Sequence, residues 1–318
     1  MSAVTDTHAD ELRALREGAG LVDRAGRGRL ALTGAEAKEF LQGQLSNDIE
    51  ALEPGHGCYA ALLTPKGKML GDLRVLDVGD ELLLGCERVA LQPLFNMIRR
   101  FKLGRDVEVH KRTVEMGELS LIGPAARELA GAGELGSAEH DSMRGEIGGH
   151  PVLLVATDAG VDVFCEAERT EGVRGALLAA GAVEASEAAA EVDRVERGRP
   201  RYGLDLDETV IPQEAGLNER AVSFTKGCYV GQETVARLFY RGKPNRHLRG
   251  LRLSAPVEPG TPLRLAEREV GRVTSVAISP RLGPIGLALV RREASPGDVL
   301  AAGEGETTAT VAELPFVA

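Results

Sequence analysis

The sequence predicts an α+β protein built as two α+β lobes followed by a small β-barrel. Three observations carry that expectation. At 318 residues the chain exceeds what one hydrophobic core usually serves. Before residue 185 its apolar spacing switches repeatedly between the two-residue period of strands and the 3.6-residue period of helices. After Pro244 helical spacing disappears, and short alternating runs remain, divided by Pro-Gly turns at 259–260 and 296–297. The lobes are expected within residues 1–246, the second over roughly 112–185, and the barrel within 247–318.

The first lobe opens with "RLALTGAEAKEFLQGQLSND". Leu30 and Leu32 alternate as in a strand, and Ala37, Phe40, Leu41 and Leu45 then follow helical spacing. Thr33 with Glu36 three residues later reads as a capping box between the two. "GCYAALLTPKGKMLGDLRVLDVGDELLLGC" splits at "PKGK" and "VGDE" into three apolar runs, an antiparallel meander. "RVALQPLFNMIRRFKL" returns to a helix with Leu91, Leu94, Phe95, Ile98 and Phe101 along one flank.

The second lobe begins with "LSLIGPAARELAGAGEL", in which Leu119, Leu121, Gly123, Ala126 and Glu128 align with Leu30, Leu32, Gly34, Ala37 and Glu39. Either the lobes arose by duplication, or both share only the grammar of a strand turning into a helix. The strands "PVLLVAT" and "GVDVFCE" and the helix "EGVRGALLAAG" complete it. Beyond Pro244, "HLRGLRLS", "REVGRVTSVAIS", "GPIGLALVRR" and "TTATVAEL" are the short strands of a barrel or sandwich, an architecture that closes its own edges.

Composition narrows the class of function. An apolar share of 43% and a charged share of 27% describe an ordinary folded protein. The first twenty residues carry charges throughout, and no eighteen apolar residues run together, so neither a secretory signal nor a membrane anchor is expected and the protein reads as cytoplasmic. A net charge of −10 opposes broad adhesion to nucleic acid or anionic membrane. Locally, however, "RLFYRGKPNRHLRGLR" carries Arg237, Arg241, Lys243, Arg246, Arg249 and Arg252 and no acid, which suits either an anion site or a solvated rim.

Cys58, Cys86, Cys165 and Cys228 show neither CxxC nor Cys/His metal spacing, so a disulfide framework or a zinc site is not expected. The first three border strand-like runs, where a cysteine is a small hydrophobe. Cys228 differs, because "KGCYVGQE" hems it with glycines and places Lys226 two positions upstream. If that stretch is extended, the two side chains share a face, and the ammonium would favour the thiolate. Taken alone, such a triplet is more often structural than reactive. A single thiolate cannot hold an iron-sulfur cluster alone, which leaves a temporary ligand, a covalent adduct or a redox contact as its chemistry.

"KGCYVGQETVAR" followed by "YRGKPNR" resembles the signature of the YgfZ-type folate-binding proteins, relatives of the glycine-cleavage T-protein (aminomethyltransferase). The resemblance extends to "RVERGRPRYGLDLDETVIPQEAGL", to "GAGLVDRAGRGRLALTGAEAKEFLQGQLSNDI" and "YAALLTPKGKMLGDLRV", and to "VGRVTSVAISPRLGPIGLALVRR", nearly the whole chain. It implies a T-protein-like ring of three modules, with residues 1–246 as the folate-binding region. It further implies that Glu196 faces the pterin, where a carboxylate can accept from the 2-amino group and the adjacent ring N–H together. By the same resemblance Tyr202 packs beside the cofactor, and Arg237 with Arg241 receives the glutamate tail of tetrahydrofolate or a one-carbon derivative. Read without it, Glu196 is a surface acid in the run "EVDRVERGR".

One departure bears on chemistry. The T-protein has consecutive aspartates where this chain reads "LGDLRV", so Gly71 replaces one acid and Asp72 alone remains to position or protonate an amine. The resemblance therefore points first to a monomeric, folate-dependent accessory factor in iron-sulfur cluster assembly or repair, serving cluster-dependent clients that include tRNA-modifying enzymes. In that reading Cys228, activated by Lys226, works at the edge of the folate cleft. A tetrahydrofolate-dependent aminomethyltransferase is the second expectation, kept by Asp72, and an RNA-binding module resting on the basic stretch is the third.

Overall fold

The computed structural model describes residues 2–316. Along the chain run α1 (Ser2–Glu17), β1 (Gly20–Asp23), β2 (Gly28–Thr33), α2 (Ala37–Gln44), β3 (Gly57–Leu63), β4 (Met69–Asp77), β5 (Leu82–Cys86), α3 (Arg88–Phe101) and β6 (Glu108–Lys111). Then come β7 (Met116–Ile122), α4 (Ala126–Leu129), β8 (Ser142–Ile147), β9 (His150–Ala156), β10 (Gly160–Glu166), α5 (Thr170–Ala179) and β11 (Val183–Glu184). The helices α6 (Glu187–Glu196), α7 (Asn218–Ala221) and α8 (Gln232–Arg241) precede β12 (Arg246–Leu253), β13 (Pro262–Leu265), β14 (Arg268–Ser279), β15 (Gly283–Arg291), β16 (Val299–Ala302) and β17 (Thr308–Ala312). No described helix is long and apolar enough to cross a membrane.

Two compact units result. One takes the chain up to Leu62, Leu70–Ala190 and Arg220–Val230; the other takes Leu63–Met69, Glu191–Glu219 and the chain from Gly231 onward. The first unit holds a five-stranded sheet, β3-β4-β5-β2-β6, and a six-stranded sheet, β11-β1-β7-β10-β9-β8. The meander read from the sequence is the β3-β4-β5 run. The second sheet does not begin at residue 112, because β1 pairs antiparallel with β7 from far upstream. Its own core gathers Leu119, Leu121, Val161 and Val163 from strands with Ala126, Val173 and Leu177 from helices.

The two sheets of this unit meet through Leu76 and Leu83 on one side and Val155 and Phe164 on the other. Leu76 and Leu83 are cross-strand partners, so the two-residue period delivers both to the same face. Beside them lies a buried ionic network. Glu118 on β7 accepts from Arg29 on β2 at 2.8 Å and from Arg74 on β4 at 2.9 Å. Arg74 also pairs with Asp162 on β10, which accepts the Ser120 hydroxyl.

Both strand-to-helix corners use a glycine. Gly34 and Gly123 adopt φ of 108° and 128°. A Cβ would sit 2.2 Å from the Asp106 carbonyl oxygen at the first and 2.4 Å from that of Gly18 at the second, so only glycine fits either corner. The capping box expected here is absent. The Thr33 hydroxyl lies 3.0 Å from His110 Nε2, and the backbone N–H of Ala35 donates to the Asp106 carboxylate at 3.1 Å, so a distant loop holds the approach to α2, whose N-cap Glu36 makes no side-chain cap bond. Along α3 the buried stripe is Ala90, Leu94 and Ile98, while Phe101, expected inside, is 51% exposed.

In the second unit β12-β15-β14-β13-β16-β17 close a six-stranded barrel around Leu251, Leu263, Val273, Val290 and Leu300. The segment carrying Glu196 is pinned to it. Arg194 donates to Asp205 and Ser275, each at 2.7 Å, and Asp205 accepts the Ser275 hydroxyl at 2.7 Å. Residues 191–219 and α8 therefore cluster with the barrel rather than with the rest of the expected 1–246 region.

Candidate functional site

The residues singled out from sequence divide between the units: Cys228, Lys226 and Asp72 belong to the first, Glu196, Tyr202, Arg237 and Arg241 to the second. In the first, Asp72 on β4 is 6% exposed and accepts the Tyr59 hydroxyl from β3 at 2.6 Å. Burial lifts its carboxyl to about 6 against the stabilising Tyr59 bond, with Glu87 adding to the rise. Tyr59 in turn is pushed well above its ordinary value by burial and by the Asp72 charge. Arg220 stands over the Tyr59 ring at 5.1 Å from its centroid and pairs with Glu139. Gly71 leaves limited room, since a Cβ there would lie 3.0 Å from that of Ala90. An acid at 71 would therefore require α3 to give way.

The segment around Cys228 is tied down by polar bonds to the end of α2. The Ser46 hydroxyl donates to the Ala221 carbonyl at 2.6 Å, the Ser223 N–H donates to the Ser46 carbonyl at 3.0 Å, and the Val230 N–H reaches the Gly43 carbonyl at 3.2 Å. Asn47 joins the two sides, donating to the Tyr59 carbonyl at 2.8 Å and to that of Arg220 at 3.2 Å.

Here the expected role of Lys226 is corrected. Residues 226–229 form no strand, and the ammonium turns inward to donate to the carbonyls of Gln42, Leu45 and Asn47, each at 2.7 Å. The carbonyls of Gln42 and Leu45 are ones that a helix end leaves without intrahelical partners, and that of Asn47 follows just beyond, so the cation closes the C-terminus of α2. Burial lowers its pKa to about 8, opposed by Asp48, Cys58 and Glu50, which keeps it charged at neutral pH. The thiol its charge acts on is that of Cys58, whose own pKa burial raises to about 12 despite the ammonium. Cys228 itself is exposed, whereas Cys86 and Cys165 are buried.

In the second unit the Glu196 side chain, at the end of α6, is 1% exposed. Its Oε1 accepts the Ser279 hydroxyl, and its Oε2 accepts from Arg281 at 2.8 Å. It is therefore a buried, doubly held carboxylate and not the surface acid that its neighbours in sequence suggest. Tyr202 forms an isolated bridge with Leu206 in the loop that Asp205 anchors. Arg237 and Arg241 lie one turn apart on α8, and Arg237 pairs with Glu233 on the exposed face. The basic stretch is partly spent: Arg246 pairs with Glu214 at 2.9 Å, Arg249 with Glu313 at 3.1 Å, and Arg252 lies over Phe316.

The GCVT N-terminal domain family matches residues 1–226. The chain belongs to the glycine-cleavage T-protein family. The T-protein C-terminal barrel domain matches residues 246–317, which agrees with the start of β12. Among relatives, a putative chloroplastic transferase of Arabidopsis thaliana is 29% identical over 98% of this chain and 74% of its own length. An aminomethyltransferase of Rubrobacter xylanophilus is 30% identical over 96% of this chain and 85% of its own. The crystal structure of the glycine cleavage system aminomethyltransferase T from Bartonella henselae superposes with a TM-score of 0.86 at 25% identity, covering 98% of this chain and 89% of that one. The mixed α+β architecture with its closed barrel is thus the T-protein fold.

Sequence reasoning missed Tyr59, Asn47 and Arg220 around Asp72, and Ser279 and Arg281 around Glu196. Arg220, Ser279 and Arg281 reach their partners from distant stretches of chain, while Tyr59 meets Asp72 across the turn between β3 and β4. A buried-side signal existed only for Tyr59, one of four tyrosines, set inside an apolar strand.

Proposed function

We propose that this protein binds a reduced folate through Glu196 and works as a YgfZ-type accessory factor in iron-sulfur cluster assembly or repair. The observation that carries the folate reading is the Glu196 carboxylate, 1% exposed and already accepting from a guanidinium. The pyrimidine edge of a pterin offers a pair of N–H donors that a carboxylate's two oxygens can accept, so the residues present fit the group. Family membership supports it, because T-protein relatives use tetrahydrofolate. Tyr202 would flank the ring, and Arg237 and Arg241 would take the carboxylates of the tail.

The accessory role draws on Cys228, the exposed thiol of "KGCYVGQE", and on Gly71, which halves the acidic pair. Cys228 would act without help from Lys226, whose ammonium is committed to carbonyls. The proposed setting is the cytoplasm, the proposed state a monomer, and the clients cluster-dependent enzymes including tRNA-modifying ones. Calorimetric titration with tetrahydrofolate and its formyl and methylene forms tests the first part: wild type should bind and Glu196→Ala should lose at least tenfold, about the value of a paired charged contact. Cells carrying Cys228→Ala under oxidative stress should lose activity of cluster-dependent enzymes; wild-type levels there would remove the thiol from the mechanism.

A second reading, aminomethyl transfer, is favoured by Asp72, whose raised pKa suits a group that exchanges a proton near neutrality. Release of ammonia and methylenetetrahydrofolate from an aminomethylated carrier would establish it. The RNA-binding reading is weakened by the ion pairs that occupy Arg237, Arg246 and Arg249.

A further inference from the structure

We infer that the C-terminal turn of α3 is a docking surface for an acidic, amphipathic segment of a partner protein. Docking there is independent of folate binding. The helix outruns the core it packs on: Ile98 is its last buried residue, and Phe101, one turn further along the same stripe, is 51% exposed, with Leu103 beyond it 83% exposed. An aromatic ring and a leucine left in water two residues apart give a partner's apolar side chains something to cover.

The charges around them set the partner's sign. From Arg88 to Arg105 the chain carries five cations and no acid, in a protein whose net charge is −10. Lys102 and Arg105 are engaged locally, by Glu108 at 3.3 Å and Glu39 at 3.2 Å. Arg99 and Arg100 are exposed, and among the described residues neither pairs with a carboxylate: Arg99 lies 5.7 Å from the centre of the Phe95 ring and Arg100 5.3 Å from that of Phe101. Lys111 of β6 stands over Phe95 as well, at 4.5 Å. A guanidinium held against a ring has already lost part of its freedom, and it keeps N–H donors for a planar acceptor, which a carboxylate takes two at a time.

An acidic peptide fits this arrangement better than other anions. Both rings carry cations where a base would stack, and Glu108 at the rim, 70% exposed, would repel a continuing phosphate backbone or a sheet of anionic headgroups. A second copy placed face to face would set cation against cation. A short segment with Asp or Glu beside Leu or Phe puts its carboxylates on Arg99 and Arg100 and its apolar side chains on Phe101 and Leu103.

The test places a photo-crosslinking phenylalanine analogue at Leu103 of the full chain, exposes it to extract of the source organism, and sequences the cross-linked peptides, with Leu204 of the second unit, 52% exposed, as the control position. Leu103 should capture a segment rich in Asp and Glu with interspersed apolar residues, and Leu204 should not. That segment, synthesised and labelled, is then titrated by fluorescence anisotropy. Arg99→Glu with Arg100→Glu should weaken binding at least about tenfold, and Phe101→Ser about fivefold, since a few Arg and aromatic contacts dominate an interface. Arg99→Lys with Arg100→Lys, which keeps the charge and guards against misfolding, should lose only about two- to threefold. Raising salt from about 50 to about 300 mM should weaken the wild-type complex several-fold. Capture of neutral or basic segments, of nucleic acid, of this chain itself, or of nothing beyond the Leu204 control overturns the inference, as does binding that the paired Glu substitutions leave unchanged.

Discussion

Glu118 and Glu196 are both 1% exposed, and both accept from arginine, yet their surroundings differ in kind. Glu118 sits in a crowded set of cations: Arg29 is fully covered, Arg74 is 13% exposed, and Arg27 reaches the same carboxylate at 3.4 Å from a 27% exposed side chain. Arg29 is itself held by the carbonyls of Thr113 and Met116 at 3.0 and 2.9 Å, so no member of that group can move without stranding another. Among the donors to Glu196 are one fixed hydroxyl and one half-exposed guanidinium. A closed set of donors makes a carboxylate part of the framework, and an open one leaves it available to a ligand.

The largest expected effect tests the closed set. Glu118→Gln removes the charge while Arg29 and Arg74 stay buried between the two sheets, and should cost about 3–5 kcal/mol, the range for breaking a buried pair from one side. Glu196→Gln should cost under about 1 kcal/mol, because Arg281 can turn to water. Urea unfolding of the two variants checks both; equal losses would erase the distinction between framework and ligand carboxylates.

That distinction is where legibility in the sequence ends. The strands, the meander and the barrel follow from local spacing, and two barrel strands escaped notice only because β13 and β16 have four residues each. The corner glycines were visible as aligned positions, since a strand turning sharply into a helix needs them. What could not be read is which charges are inside. "RVERG" looks like surface, and Glu196 is buried by Ser279 and Arg281, more than eighty residues away. Lys226 stood two residues from Cys228, which suggested partnership, but its ammonium found the end of a helix near residue 45. Sequence proximity says little about where a long side chain points when the backbone between is not extended.

Asp72 sharpens the comparison from a third position, being buried with a hydroxyl and no cation bonded to it. Its folded pKa of about 6 lies above the usual unfolded value, so its stabilising share is present below about pH 4 and is lost as pH rises through 6. Asp162 behaves oppositely: burial pushes its pKa up, but the charges of Arg74 and Arg27 with the Ser120 and Arg74 hydrogen bonds together outweigh it and hold the pKa below the ordinary carboxylate range. Asp162 therefore supports the fold above about pH 4 and fails it on acidification. Asp72→Asn keeps an acceptor for Tyr59 and should stabilise the protein at pH 8 by up to about 3 kcal/mol, the full linkage for a shift of roughly two units. The gain should vanish near pH 4. Stability curves that run parallel across that range would contradict the assignment of burial as the cause.

Lys226 offers a smaller effect than Glu118 or Asp72 and decides what "KGCYVGQE" is for. Lys226→Met conserves the stem and removes the ammonium, leaving three carbonyls at the end of α2 short of a donor. A loss of about 2 kcal/mol is expected, as for a buried polar group left unsatisfied. Faster amide exchange should appear in residues 220–230 and 42–47, which the same bonds hold together. Cys228→Ala, by contrast, removes an exposed atom and should change stability by under about 0.5 kcal/mol. If Lys226→Met instead left unfolding untouched and slowed alkylation of Cys228 by iodoacetamide, the ammonium would be serving the sulfur after all. The loop would then be a reactive device and not a fastening.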